Sequence, residues 1–238
     1  MPDMERQGAA NKRPSYLRGA AILSVSAILA KIIGAVFKIP LGNLLQNEDY
    51  ALFSIAYSVY SMLLAISYSG IPVALSRLVS GSVELGETNQ ARRYFRVALP
   101  AFAAVGAAAS LAMFLFAPEL ARFMNAPRAV LGIRVLSPAV FLCCVVSVYE
   151  GYSQGHSDML PTALKQIIEV TSKLVFGLAI AWLMLRAGAP GEETAAGAIT
   201  GVVFGLFLAL PVLIVYKRRK TDRFARPRGE MLSKGRTL

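Results

Sequence analysis

The chain has 238 residues, of which 55% are hydrophobic and 16% are charged, and its mean hydropathy is +0.54. This composition leaves too little polar surface for a soluble domain of that length and favours a polytopic membrane protein. A net charge of +11 would suggest a nucleic-acid partner for a soluble protein. In a membrane chain, however, the distribution of basic residues among the loops matters more than their sum, and we expect no nucleic-acid partner.

Six apolar stretches are long enough to cross the roughly 30 Å of bilayer hydrocarbon. They cover residues 18–41, 51–79, 95–116, 130–149, 161–185 and 195–216. The predicted fold is therefore all-α, a polytopic bundle of six transmembrane helices. The predicted organisation is a cytoplasmic segment (1–17), a six-helix lobe (18–216) and a basic cytoplasmic tail (217–238). The first apolar stretch is longer than a signal-peptide core and has no small-residue cleavage site, so it reads as an uncleaved helix.

The loops predict the orientation of the bundle. Sixteen basic residues fall in the amino-terminal segment, between the second and third spans and in the carboxyl-terminal tail, against three or four on the other side. By the positive-inside rule both termini are expected in the cytoplasm of a multi-pass cell-membrane protein. The tail "KRRKTDRFARPRGEMLSKGR" is then expected to act as a stop-transfer segment during membrane insertion and to contact anionic lipid.

Five basic residues remain within or at the edges of spans: Lys31, Lys38, Arg77, Lys165 and Lys173. A cation at the bilayer centre costs roughly 2.5–3.5 kcal/mol on insertion scales. In the first span, "AILAKIIGAVFKIP", Lys31 and Lys38 share one arc of the helical wheel with Gly34, whereas the opposite arc is aliphatic. Either the lysines snorkel to the headgroups or they face a wet cavity that holds an anion; the central position of Lys31 favours the cavity.

The second span contains "SYSGIPVALSRLV", in which Pro72 lacks a backbone donor and predicts a kink near Gly70. Arg77 follows towards the cytoplasmic end, where it either snorkels or joins the cavity.

The fifth span begins at Pro161 and places Lys165, Gln166, Glu169 and Lys173 on one face. Lys165–Glu169 and Glu169–Lys173 are both i,i+4 pairs, so the face is either a polar seam for helix packing or part of a cationic cavity.

The remaining sequence predicts scaffold. The third and fourth spans are rich in small residues, and Gly197, Gly201 and Gly205 of the sixth recur at four-residue spacing, typical of a packing face. Cys143 and Cys144 are read as small core residues. The sequence shows no catalytic set, metal-ligand cluster or phosphate-binding loop, so we expect neither an enzyme nor a bound metal or cofactor.

Several segments resemble a known family. "SYLRGAAILSVSAILAKIIGAVFKIPLGNLL", "YSMLLAISYSGIPVALSRLV", "APRAVLGIRVLSPAVF" and "GYSQGHSDMLPTALKQIIE" look like the amino-terminal lobe of polysaccharide biosynthesis proteins of the stage V sporulation protein B group. That group is related to the lipid II flippase and belongs to the multidrug/oligosaccharidyl-lipid/polysaccharide exporter superfamily. Glu150 departs from the pattern, since relatives often carry a basic residue before "GY.QG".

The resemblance implies one lobe of a two-lobed transporter with a cationic central cavity. That cavity would bind the diphosphate of an undecaprenyl-linked saccharide, and Lys31, Lys38 and Arg77 best match the basic residues that serve it. Family members have about fourteen helices, so the chain is expected to be a fragment or to need a second transporter lobe, with membrane lipids as further partners. The alternatives are a cation-coupled multidrug exporter of the same superfamily, which would favour intramembrane carboxylates, and a non-transporting sporulation or envelope assembly protein.

Overall fold

The computed structural model describes the backbone of residues 2–68 and 70–224 and the side chains of residues 19–65 and 70–220. All regular structure in these ranges is helical, as predicted. The helices are α1 (Pro2–Leu44), α2 (Asn47–Tyr68), α3 (Ile71–Glu84), α4 (Thr88–Leu115), α5 (Ala117–Phe123), α6 (Val130–Gly155), α7 (Leu160–Ser172), α8 (Leu178–Arg186) and α9 (Gly191–Phe224). A 3₁₀ turn (Pro127–Ala129) precedes α6, and a π-helical segment (Lys173–Gly177) joins α7 to α8. The last part of the predicted tail, residues 225–238, lies outside the described residues.

Five helical segments of the described part are long and apolar enough to cross a membrane. They are Gly19–Leu44, Thr88–Leu115, Pro127–Gly155, Leu160–Arg186 and Gly191–Lys220. The protein is therefore a multi-pass helical membrane bundle. The second predicted span, 51–79, is not one helix, because α2 ends at Tyr68 and α3 begins at Ile71. Helix α1 and helix α9 both run without interruption through the predicted boundaries at residues 17 and 217.

Contacts between loops and helix termini define the two ends of the bundle. At one end, Asp158 contacts Tyr216 and Lys220, and Gly19 packs on Met159. We call this the basic end (residues 84–92, 155–160 and 216–220). The opposite end comprises residues 44–49, 123–130 and 186–192; there Asp49 lies against Gly191, and Arg128 pairs with Glu192 at 3.1 Å.

Helices α2 and α3 in series connect these two ends. Helix α2 begins at the opposite end, and α3 ends at the basic end, where Val79 packs on Gly155. The break falls at Gly70, and Pro72 occupies the first turn of α3, a position where its missing N–H is tolerated. At the position of the predicted kink, α2 ends at Tyr68 and α3 begins at Ile71. A Cβ added to Gly151 of α6 would lie 2.9 Å from Pro72 Cα, so glycine there lets α3 approach closely.

Helix α6 is the centre of the bundle and packs on α2, α3, α4 and α9. It is the most buried of the apolar segments, with 61% of its most hydrophobic window inside the protein. Cys143 and Cys144 are both buried and both free, which agrees with their assignment as small core residues.

The glycine face of α9 packs on α7 and the π-helical segment, as the four-residue spacing predicts. A Cβ added to Gly201 would lie 2.6 Å from the Gly177 nitrogen and 3.1 Å from Lys173 Cα. A Cβ added to Gly205 would lie 3.0 Å from Glu169 Cα. This backbone-to-backbone contact fixes the position of the segment that carries the charged residues of the fifth predicted span.

Candidate functional site

The two lysines of α1 lie on the surface of the described bundle. Lys31 and Lys38 are both exposed, while Ala30, Phe37 and Leu41 form the buried face that packs on α7 and its neighbours. Neither lysine makes an ion pair or hydrogen bond to any residue within the described part. Lys31 sits halfway along the apolar segment Gly19–Leu44, where an uncompensated ammonium is costly in hydrocarbon.

Arg77 belongs to a different part of the surface. Helix α3 packs on α4 and α6 with Ile71, Leu75 and Val79, and Arg77 lies on its exposed opposite side. It too takes part in no ion pair within the described residues. The structure does not bring Arg77 into contact with Lys31, so these candidates are two surface positions rather than one assembled cluster.

The polar face of α7 forms a seam between α7, α1 and α2. Lys165 Nζ lies 3.1 Å from Glu169 Oε2, and the two side chains are 14% and 21% exposed. Beside them, Ser26 Oγ of α1 donates a hydrogen bond of 3.2 Å to Gln166 Oε1. The predicted Lys165–Glu169 pair is therefore present, and it is largely shielded from the surroundings.

Lys173 takes a different partner from the one its spacing predicts. Its ammonium lies over three aromatic rings, 4.4 Å from the centroid of Tyr57, 4.9 Å from Phe37 and 5.6 Å from Phe53. Cation–π attraction of this kind stabilises a charge that has lost its water. Lys38 is close enough to act on Lys173 as a like charge. Lys38, Lys165 and Lys173 with Glu169 thus form one cationic seam in which positive charges outnumber negative ones.

The aromatic wall of this seam was not predicted from the sequence, although a signal was present. Tyr50, Phe53, Tyr57 and Tyr60 recur at helical spacing on α2, and successive rings lie 5.8–6.2 Å apart. The π-helical turn at Lys173 was also missed, because a one-residue insertion into a helix leaves no compositional trace. Such turns are frequent at functional sites, and this one carries the lysine that faces the aromatic rings.

Two other titratable groups, Glu150 and His156, belong to α6 and to the residue that follows it. Glu150, which departs from the family pattern, is 1% exposed in α6. His156 follows α6 at the basic end, its Nδ1 lies 2.9 Å from the Tyr152 carbonyl oxygen, and burial lowers its pKa below the usual value. Among the described residues, no group of His, Cys, Asp and Glu side chains could hold a metal ion.

Comparison with known proteins places the chain in a family. Residues 16–233 match the family described as polysaccharide biosynthesis protein. The chain is 28% identical over 214 residues to the lipid II flippase MurJ of Bacillus subtilis (strain 168), covering 86% of this chain and 39% of that relative. It is 25% identical over 211 residues to stage V sporulation protein B of the same organism, covering 88% of this chain and 40% of that relative.

An uncharacterized membrane protein of that bacterium, YabM, is 26% identical over 202 residues, which cover 85% of this chain and 37% of YabM. The chain thus spans about two-fifths of the length of the curated relatives it matches. No solved structure matches it. Because the family match covers almost the whole chain, including every helix of the site, the chain belongs to the polysaccharide biosynthesis protein family.

Proposed function

We propose that the chain acts as the amino-terminal lobe of a flippase for an anionic, undecaprenyl-diphosphate-linked saccharide in cell-wall or polysaccharide synthesis. The supporting observation is the exposed Lys31 halfway along α1, which has no ion-pair partner among the described residues, together with the cationic seam of Lys38, Lys165 and Lys173. The similarity to the lipid II flippase supports the substrate class.

The surface that carries these charges suits a diphosphate for an electrostatic reason. A cation within the hydrocarbon is stabilised by an anion more than by any neutral group, and a diphosphate offers several acceptor oxygens to ammonium donors. A lipid-linked substrate can leave its apolar chain in the bilayer while its headgroup binds the lysines. A second lobe, packed opposite this surface, would close the cavity around the headgroup, and both termini of this lobe would be cytoplasmic.

The binding test uses undecaprenyl diphosphate with the purified chain in detergent, followed by native mass spectrometry. The wild-type chain should retain the lipid, and Lys31→Gln and Lys38→Gln should each weaken binding by about 10- to 150-fold, as expected for loss of a charge-assisted contact worth about 1.5–3 kcal/mol. Arg134→Gln is the matched control, since it removes an exposed cation from α6, where Arg134 lies over the Phe114 ring. Equal weakening by the control would contradict the site.

The transport test uses the chain joined to a second lobe. Lys31→Ala should abolish flipping of a fluorescent undecaprenyl-diphosphate saccharide in vesicles, while Lys31→Arg keeps part of it because the charge survives with a different shape. Full activity of Lys31→Ala would show that Lys31 does not bind the substrate in the cavity. Tight binding of cationic dyes that is insensitive to Lys31, Lys38 and Arg77 would instead indicate a multidrug exporter. Lipid binding without flipping would favour an assembly role.

A further inference from the structure

A second cationic cluster lies at the basic end, away from the seam. The Lys217 ammonium of α9 is enclosed by three rings of α4 and α6, 2.7 Å from the centroid of Phe95, 4.8 Å from Tyr152 and 5.7 Å from Tyr149. Phe95 in turn packs edge-on against both tyrosines, with centroids 5.1 Å apart in each case. The three rings therefore fix the position of the Lys217 ammonium.

Two arginines of α4 flank Phe95 in the sequence, and Phe95 is the ring that meets Lys217. Arg92 and Arg96, one turn apart on α4, both act on Lys217 as like charges. Arg92 also acts on Tyr152, and Arg218 of α9 acts on Tyr149. These helices thus bring several positive charges to one place, where an anion is attracted.

The cluster borders a groove that can admit such an anion. Tyr149, Ile214, Lys217 and Arg218 line a depression of about 170 Å³. Since a water occupies about 30 Å³ of liquid, the groove has room for several non-hydrogen atoms, as a phosphate group requires. Its lining combines two cations with a phenol, which are donors suited to phosphate oxygens.

The groove lies near one end of the apolar segments. Helix α4 begins at the basic end, and the apolar segments Pro127–Gly155 and Gly191–Lys220 end there, so we place Lys217 close to the headgroups of a bilayer that these segments cross. Helices α4 and α9 each pack along α6 rather than along each other. Between them α6 leaves Tyr149, Val145 and Phe141 half-buried, on one face at four-residue spacing. An acyl chain can follow that apolar face towards the middle of the membrane.

From this arrangement we propose that Arg92, Arg96, Lys217 and Arg218 bind the phosphate headgroup of an anionic phospholipid, with its acyl chain in the slot between α4 and α9. The site is separate from the seam on α1 and α7 and is independent of the proposed flippase function. Basic pockets between transmembrane helices at the cytoplasmic surface are known to take such headgroups. The bound lipid would join the start of α4 to the end of α9.

The test measures retention of dioleoyl-phosphatidylglycerol and of dioleoyl-phosphatidylcholine by the full chain in native mass spectrometry. Wild-type protein should retain the anionic lipid preferentially, and preference should fall as salt rises, because part of the site is exposed. Each arginine near an anionic lipid surface contributes about fivefold in affinity. The double variant Arg92→Gln/Arg96→Gln should therefore lower the affinity for the anionic lipid by about 25-fold. Arg92→Lys/Arg96→Lys should restore most of it.

The matched control is Arg122→Gln/Arg186→Gln, which removes the same charge at the opposite end and should leave lipid retention unchanged. Inorganic phosphate at millimolar concentration should not displace the lipid, because it lacks the acyl chain. Equal retention of the two lipids by wild-type protein, or an equal loss in the Arg122→Gln/Arg186→Gln control, would overturn the proposal. The first of these outcomes needs no variant, so a folding defect in the arginine variant cannot obscure it.

Discussion

The close contact between α9 and the π-helical segment makes Gly201 sensitive to a single added methyl group. A Cβ at this position would lie 2.6 Å from the nitrogen and 2.8 Å from the Cα of Gly177, and 3.1 Å from Lys173 Cα. All three atoms belong to the backbone, so no side-chain rotation can relieve the overlap. Gly201→Ala must therefore push α9 away from the segment that carries Lys173.

The expected magnitude follows from comparison with Gly34→Ala. Gly34 also lies within a long helix, but a Cβ there would have no atom within 4 Å. Both substitutions gain the helix propensity of alanine over glycine, about 1 kcal/mol, so this contribution cancels between them. The remaining difference is the cost of overpacking, about 1–3 kcal/mol, and Gly201→Ala should be less stable than Gly34→Ala by that amount. Gly197→Ala should fall between them, because its added Cβ meets the end of the flexible Met184 side chain.

The assay uses the two cysteines, which are both buried. Reaction of Cys143 and Cys144 with a thiol-reactive fluorophore during denaturation in detergent reports exposure of the core of α6, and circular dichroism reports loss of helix. The midpoint of the transition should shift to milder conditions for Gly201→Ala relative to Gly34→Ala. Identical stability of the two variants would refute the reasoning, since it would mean that α9 and the π-helical segment are not in backbone contact.

Two further predictions concern the ends of the bundle. Reporter fusions after Leu238 and between residues 45 and 46 should report opposite sides of the membrane. The fusion after Leu238 should be cytoplasmic. If both fusions reported the same side, the chain would not cross the membrane an even number of times. Asp158→Asn should lower the free energy of unfolding by about 1–2 kcal/mol, because Asp158 accepts a 2.8 Å hydrogen bond from Tyr216 and pairs with the partly exposed Lys220. Tyr216→Phe removes only one of these contacts and should lower the free energy of unfolding by less than Asp158→Asn does in the same denaturation assay. A larger loss for Tyr216→Phe would show that the contacts of Asp158 are not what stabilises this end.

Features that depend on local sequence could be predicted well. The break at Gly70 and Pro72 follows from the missing donor of proline, and the packing of Gly201 and Gly205 follows from their spacing. The Lys165–Glu169 ion pair also required only a helix and an interval of four residues. Each of these inferences concerns one helix or a face of one helix.

Features that depend on how helices meet could not be predicted. The spacing of Glu169 and Lys173 is equally suitable for an ion pair, but the π-helical turn and the approach of α2 direct Lys173 over aromatic rings. The resemblance groups Arg77 with Lys31, and the packing of α3, which carries Arg77, on α4 and α6 is not visible in the sequence. The convergence of Arg92 with Lys217 required knowledge that α4 and α9 flank α6 at the same end.

The broken second crossing has a consequence for how the protein is inserted into the membrane. A continuous apolar helix can leave the translocon for the lipid by itself, but α3 has only 14 residues and cannot span the bilayer alone. Its apolar face fits Gly151 and Gly155, which are synthesised after it and become available only when α6 has emerged. The α3 half of this crossing therefore gains its packing partner only after α6 has been synthesised. Bulkier residues at Gly151 or Gly155 would block this late docking of α3 on α6.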